Sequence, residues 1–157
     1  MTLHAWRIVK AKHAASAFSG LGAKTFGGRW NSPGTPLVYS AGSVSLAILE
    51  MLVHLQSHEI LKHYVLFQLT FDDALVTHLN ATSLPRTWKR YPAPRALQHL
   101  GDAWAAGATS PILRVPSAVV PAESDYLLNP THPDFPRITI APKSPLPFDP
   151  RLLKPRP

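Results

Sequence analysis

Fifteen of the 17 prolines in this chain lie after residue 84. Each one fixes φ and removes a backbone donor, so the second half is limited to short elements joined by rigid loops. The last stretch, Pro142 to Pro157, carries six prolines in 16 residues. It reads as an extended tail that lies on the domain or projects from it, leaving residues 1–141 as the folded unit.

Ahead of the prolines the patterning is more regular. Leu3 to Val9 reads as a strand and Lys10 to Phe18 as a short helix. Ser19 to Gly34 (SGLGAKTFGGRWNSPG) holds five glycines and a proline and reads as loop and turn, with backbone free to approach a ligand. Leu37 to Ser40 reads as β structure. Ser43 or Ser45 caps a helix that is expected to reach about Gln56. Tyr64 to Phe71 reads as a buried strand, with a second extended piece at Leu75 to Leu79. Ala93 to Ala106 reads as a helix, and Ile112 to Val115 and Arg137 to Ile140 as strands. No internal repeat is present, and strands and helices mix without a βαβα rhythm, which points to a single α+β domain.

At 157 residues the chain is long enough to bury a core without staples. Cysteine is absent, which excludes a disulfide scaffold, a thiolate zinc site and a cysteine nucleophile, and suits the cytoplasm. The longest apolar run, Leu46 to Leu55, is too short to span a bilayer and contains Glu50 and His54. The first residues lack the order of a secretory signal. With 16 Lys+Arg against 9 Asp+Glu, the net charge of +7 suggests a polyanionic ligand or an acidic partner.

The charges are unevenly distributed. Arg7, Lys10, Lys12, Lys24 and Arg29 precede any carboxylate, and Glu50 is the first acid in the chain. Within LAILEMLVHL the polar positions are Glu50 and His54, spaced i, i+4 on one helical face. Spacing alone admits a narrow solvated stripe on a buried helix. That is the commoner arrangement; the sharper alternative is a carboxylate at a cleft rim, where low dielectric strengthens its hold on a developing positive charge.

Phe26-Gly27-Gly28-Arg29-Trp30-Asn31 permits a tight turn that directs a guanidinium into a pocket, or a surface arginine beside a core tryptophan. It is neither a dinucleotide fingerprint nor a P-loop. His54, His58 and His63 invite a zinc reading, but HEILKH lacks the HExxH spacing, and no metal is expected. Arg86, Trp88, Lys89, Arg90, Tyr91 and Arg95 interleave cations with aromatics, as single-stranded nucleic-acid binders do. Because the other basic residues are dispersed, a solvated, proline-bounded connection anchored by Trp88 is the favoured reading. Ser117 lies outside any GxSxG elbow and has no nucleophile signature. Asn129 and His132 belong to a polar turn cluster that lines a site or caps a loop.

Taken in order, these motifs resemble the RES-domain family, named for an arginine, a glutamate and a serine. The matching residues are Trp6-Arg7-Ile8, Gly27-Gly28-Arg29-Trp30-Asn31, Val38-Tyr39-Ser40 and Ser45-Leu46-Ala47-Ile48-Leu49-Glu50 with Val53-His54. They continue through Leu84-Pro85, Trp88, Gly101 and Trp104 to Val115-Pro116-Ser117-Ala118, Leu128-Asn129-Pro130 and His132-Pro133. Arg29, Glu50 and Ser117 are all in place.

The resemblance implies a fold similar to ADP-ribosyltransferase toxins and a toxin neutralised by an Xre-type helix-turn-helix antitoxin. NAD is then a substrate and no cofactor is expected. The implied activity is NAD glycohydrolase or phosphorylase, or transfer of ADP-ribose to a protein. Breaking the nicotinamide–ribose bond leaves an oxocarbenium-like ribose that needs a carboxylate beside it. Glu50 is the expected carboxylate, with Arg29 and Tyr39 as its catalytic companions. Arg7 and Arg29 are expected on the pyrophosphate and the Tyr39 ring on nicotinamide. Ser117 is expected on the ribose or amide, and His54 and Asn129 as further substrate contacts. No membrane and no direct nucleic-acid contact are expected, and a homodimer or larger toxin–antitoxin assembly is left open. The contrasting alternative is a nucleic-acid-binding or RNA-cleaving toxin that uses Arg86 to Arg95.

Overall fold

The computed structural model describes residues 1–55 and 63–152. One eight-stranded sheet organises it, in the order β4-β5-β6-β2-β1-β3-β7, with β8 also pairing β3. The strands are β1 (Thr2–Lys10), β2 (Val38–Ala41), β3 (Tyr64–Asp72), β4 (Val76–His78), β5 (Ile112–Pro116), β6 (Ser124–Leu128), β7 (Thr139–Ile140) and β8 (Ser144–Pro145). Only β4 and β5 run parallel; every other pairing is antiparallel. Among the described residues three helices, α1 (Leu21–Phe26), α2 (Val44–Leu52) and α3 (Arg95–Gly107), join the sheet in an α+β domain.

Both faces of the central strands are buried, following the period of two in a pleated sheet. Ala5, Val38, Leu69, Ile112, Tyr126 and Leu128 pack on one face. Leu113, Val115 and Leu127 point the other way, against Trp30 and against Leu97 and Trp104 of α3. On α3, Leu97, Gly101 and Trp104 form the buried i, i+4, i+7 stripe. The helix stops where Ala108 turns left-handed at φ 46°.

α2 begins at Ser43, whose side chain accepts a hydrogen bond from Leu46 N at 3.0 Å. This is the cap expected at Ser43, and it leaves Ser45 inside the helix. The helix ends at Leu52, short of the expected limit, and Gln56 lies outside the described residues.

Elsewhere the elements depart from expectation for local reasons. The glycine-rich segment is not all loop: Gly20 (φ 70°) and Gly27 (φ 71°) bracket the helical turns of α1. The helix expected over Lys10 to Phe18 is a 3-10 turn at Ala11–Ser16. The strand expected from Arg137 contracts to Thr139–Ile140 because Phe135–Arg137, with Pro136 inside it, forms a 3-10 turn.

β6 was not expected at all. Its Tyr126, Leu127 and Leu128 are all buried, so the run shows none of the alternation that marks a half-exposed strand. Part of the proline-rich end lies on the domain: β8 pairs Val65 with Pro145, and the Phe148 ring meets Tyr64 edge-on.

Candidate active site

β1 and β2 pair through a single register position, Trp6 with Ala41. Beyond it Arg7 takes over, its Nη1 donating to the Tyr39 carbonyl at 2.7 Å and its Nε to the Ala17 carbonyl at 2.8 Å. Burial lowers the Arg7 guanidinium to about 10. Beside these strands opens a cleft of about 810 Å³, in the range that holds small ligands. Arg7, Arg29, Tyr39, Glu50, His54 and Asp125 all line it.

Glu50 comes from α2, half-buried. Its Oε1 accepts a hydrogen bond of 2.6 Å from Ser117 Oγ. Ser117 is fully buried just beyond β5, and its oxygen also accepts from the backbone N–H of Val119 and Val120. The serine is therefore a bracket between a tight turn and the carboxylate. Ser117 itself does not line the cleft, although its neighbour Ala118 does, and its hydroxyl is directed to Glu50.

Arg29 lines the same cleft from the glycine-rich loop. Its Nη1 donates to the carbonyls of Trp88 (2.9 Å) and Arg90 (3.0 Å), which ties the Arg86 to Arg95 segment to the cleft. Among the described residues, Nε and Nη2 have no protein acceptor. Trp88 packs against the core cluster that contains Trp30, and Tyr91 and Pro92 form part of the rim. The basic segment is thus a wall of this cleft.

Tyr39 holds the arginine loop in shape. Its hydroxyl accepts from Trp30 N at 3.0 Å and donates to Asn31 Oδ1 at 2.6 Å. Burial pushes the phenol well above its ordinary value, so it stays neutral. A Cβ on Gly28 would come within 2.6 Å of that hydroxyl, which is why the loop needs glycine there. Asn31 in turn donates to the Ala23 and Thr35 carbonyls, and Asp102 of α3 accepts from Ser32 N.

His54 is exposed on the rim, its ring centroid 6.3 Å from that of Tyr91. His58 lies outside the described residues. Asn129, expected as a substrate contact, is buried away from the cleft. It donates to the Ala105 carbonyl and accepts from Thr131, joining the end of α3 to the turn after β6.

One residue of the cleft had no place in the sequence reading. Asp125, on β6, presents a carboxyl group to Glu50. Its Oδ1 is buried, and no protein donor reaches it among the described residues. Burial first, and then the neighbouring Glu50 charge, push Asp125 up to about 8. The signal was faint: one acid at the head of an unrecognised strand.

The RES domain family matches this chain over residues 4–149. The chain belongs to the RES-domain family. A relative from Yersinia enterocolitica named "Toxin Res" is 42% identical over 94% of this chain and 97% of its own length. Another from Sphingobium, named "Prs ADP-ribosylating toxin", is 38% identical over 98% of this chain and 99% of its own. The fold is similar to that of a chain in the crystal structure of the M. tuberculosis MbcT–MbcA toxin–antitoxin complex. That match has a TM-score of 0.75 at 20% identity, covering 98% of this chain and 87% of the other. In this RES domain the three residues behind the family name do different work. Arg29 and Glu50 face the cleft, whereas Ser117 holds Glu50 from behind.

Proposed function

We propose that this RES-domain protein is the toxin of a toxin–antitoxin pair and consumes NAD by breaking the nicotinamide–ribose bond at Glu50. The observation that carries this reading is a half-buried carboxylate, fixed by Ser117, that lines a cleft of ligand size together with Arg29. As nicotinamide leaves it becomes neutral, and positive charge moves to the ribose. A fixed carboxylate in a low-dielectric site stabilises that charge without reorganising. Nε and Nη2 of Arg29 suit the oxygens of the pyrophosphate. Arg7 is spent largely on backbone carbonyls, so its part is to set positive potential under the cleft. The Tyr39 hydroxyl is turned inward, leaving its ring as a surface for nicotinamide.

The acceptor is water, phosphate or a protein side chain. The Sphingobium relative's name supports transfer of ADP-ribose to a protein as the second reading. An Xre-type antitoxin is the proposed partner, and the exposed Phe26 and Tyr91 at the cleft offer it apolar surface.

The test is NAD turnover by purified protein, with and without phosphate, and mass analysis of the product. ADP-ribose identifies a glycohydrolase and ADP-ribose 1″-phosphate a phosphorylase. Nicotinamide release only with added cell extract identifies a protein acceptor. Glu50→Gln is expected to abolish all three. Folded wild-type protein that leaves NAD intact in every arm, or Glu50→Gln that turns over normally, overturns the reading.

A further inference from the structure

We infer that Asp125 is the proton-holding partner of Glu50: its carboxyl group stays protonated in the working protein and donates to the Glu50 carboxylate. Glu50 is then aimed by two donors, Ser117 and Asp125, and the pair carries a single negative charge. The inference rests on Glu50 being the carboxylate that faces the ribose.

The register of the sheet makes the contact. β6 sits between β2 and β5, and Asp125 pairs with Ala41 on one side and Val115 on the other. Neither strand neighbour brings a titratable group. The charges around Asp125 come from elsewhere: Glu50 from α2, Glu123 from the turn before β6 and Arg29 from the glycine loop, with Arg7 and His54 in the same cleft. Glu123 is held outward by Ser43 Oγ at 3.2 Å.

Two ionised carboxylates cannot share such a place at low cost. Among the described residues the buried Oδ1 has no protein donor, and the nearby carboxylate repels a second negative charge. One proton between them resolves both problems, since it satisfies a buried oxygen and gives Glu50 a second donor beside Ser117. A raised acid value of about 8 agrees with this arrangement. The single charge also fits the ligand. It offers the cationic ribose one counter-charge without setting two anions against a pyrophosphate.

The experiment compares wild type, Asp125→Asn and Asp125→Ala in NAD turnover across pH, with Glu50→Gln in parallel. Wild-type kcat should fall on the alkaline side near pH 8, as the proton leaves and Glu50 loses a donor. Asp125→Asn keeps a neutral donor and should retain activity while losing that alkaline limb. Asp125→Ala should lower kcat by about tenfold at neutral pH, with a smaller change in KM. An Asp125→Asn profile identical to wild type, or full activity in Asp125→Ala, overturns the inference.

Carbon-13 NMR titration of the side-chain carboxyls in ligand-free protein reads the same proton without turnover. A resonance titrating near 8 that vanishes in Asp125→Asn supports the shared proton, and one near the ordinary aspartate value overturns it. If Glu50→Gln turns over NAD normally, the NAD reading fails, while the titration still decides the Asp125–Glu50 pair.

Discussion

Ser117 shows how a small side chain contributes to a site that it does not line. Its hydroxyl closes the turn at Val119 and Val120 and at the same time donates a hydrogen bond to Glu50 Oε1. Ser117→Ala should therefore have two separable effects. Two N–H groups lose their acceptor, which should cost about 1–3 kcal/mol of stability by urea denaturation. Glu50 loses a donor, so turnover should fall by about ten- to a hundredfold in protein that is still folded. Normal turnover in a destabilised variant would show that the bracket serves the turn alone. Arg29→Lys tests the cationic side of the cleft. An ammonium cannot both span the Trp88 and Arg90 carbonyls and present a flat edge to the cleft, so KM should rise at least about tenfold. That Arg29, Tyr39 and Glu50 come together in one cleft was legible, because ordered motifs carried all three. The inward roles of Ser117 and Asn129 were not legible. A buried hydroxyl or amide looks the same in sequence whether its partner is a ligand or a turn.

At the scale of elements, α3 and the arginine loop are locked together at Gly101. A Cβ there would overlap the carbonyl oxygen of Trp30, a backbone atom that cannot swing aside. Gly101→Ala gains roughly 0.8–1.0 kcal/mol of helix propensity. The overlap should cost more, typically about 1–3 kcal/mol, because helix or loop must shift. We expect a net fall in Tm together with reduced NAD turnover, since Trp30 is next to Arg29. A rise in Tm would mean that helix and loop part freely. Sequence alone reveals α3 and places α2 through its Ser43 cap, because an amphipathic period and a cap are local signals. It does not reveal α1, whose six residues lie between glycines that read as loop, nor β6, whose burial on both faces erases alternation. Losing β6 also hid Asp125, so an error in an element became an omission in the site.

Across the whole molecule, the proton on Asp125 couples stability to pH. Its folded value, about 8, stands above the 3.8 ordinary for an aspartate. Below about pH 4 both folded and unfolded chains hold the proton, and the group makes no difference to the balance. Between those values the unfolded chain has released it and the folded chain has not. Stability therefore falls as pH rises, by at most about 1.4 kcal/mol per unit from this group. Above the folded value both states are ionised and the loss is complete. A protein with 16 Lys+Arg against 9 Asp+Glu gains nothing general from an acid that it keeps neutral, which places the reason for that acid in the cleft. Asp125→Asn should thus be more stable than wild type at neutral and alkaline pH, by a margin that widens from about pH 4 and levels off above about pH 8. Urea denaturation of both proteins near pH 5, 7 and 9 measures that margin. A margin that stays constant across the range would mean that Asp125 ionises alike in the folded and unfolded chains, and that Glu50 has no proton beside it.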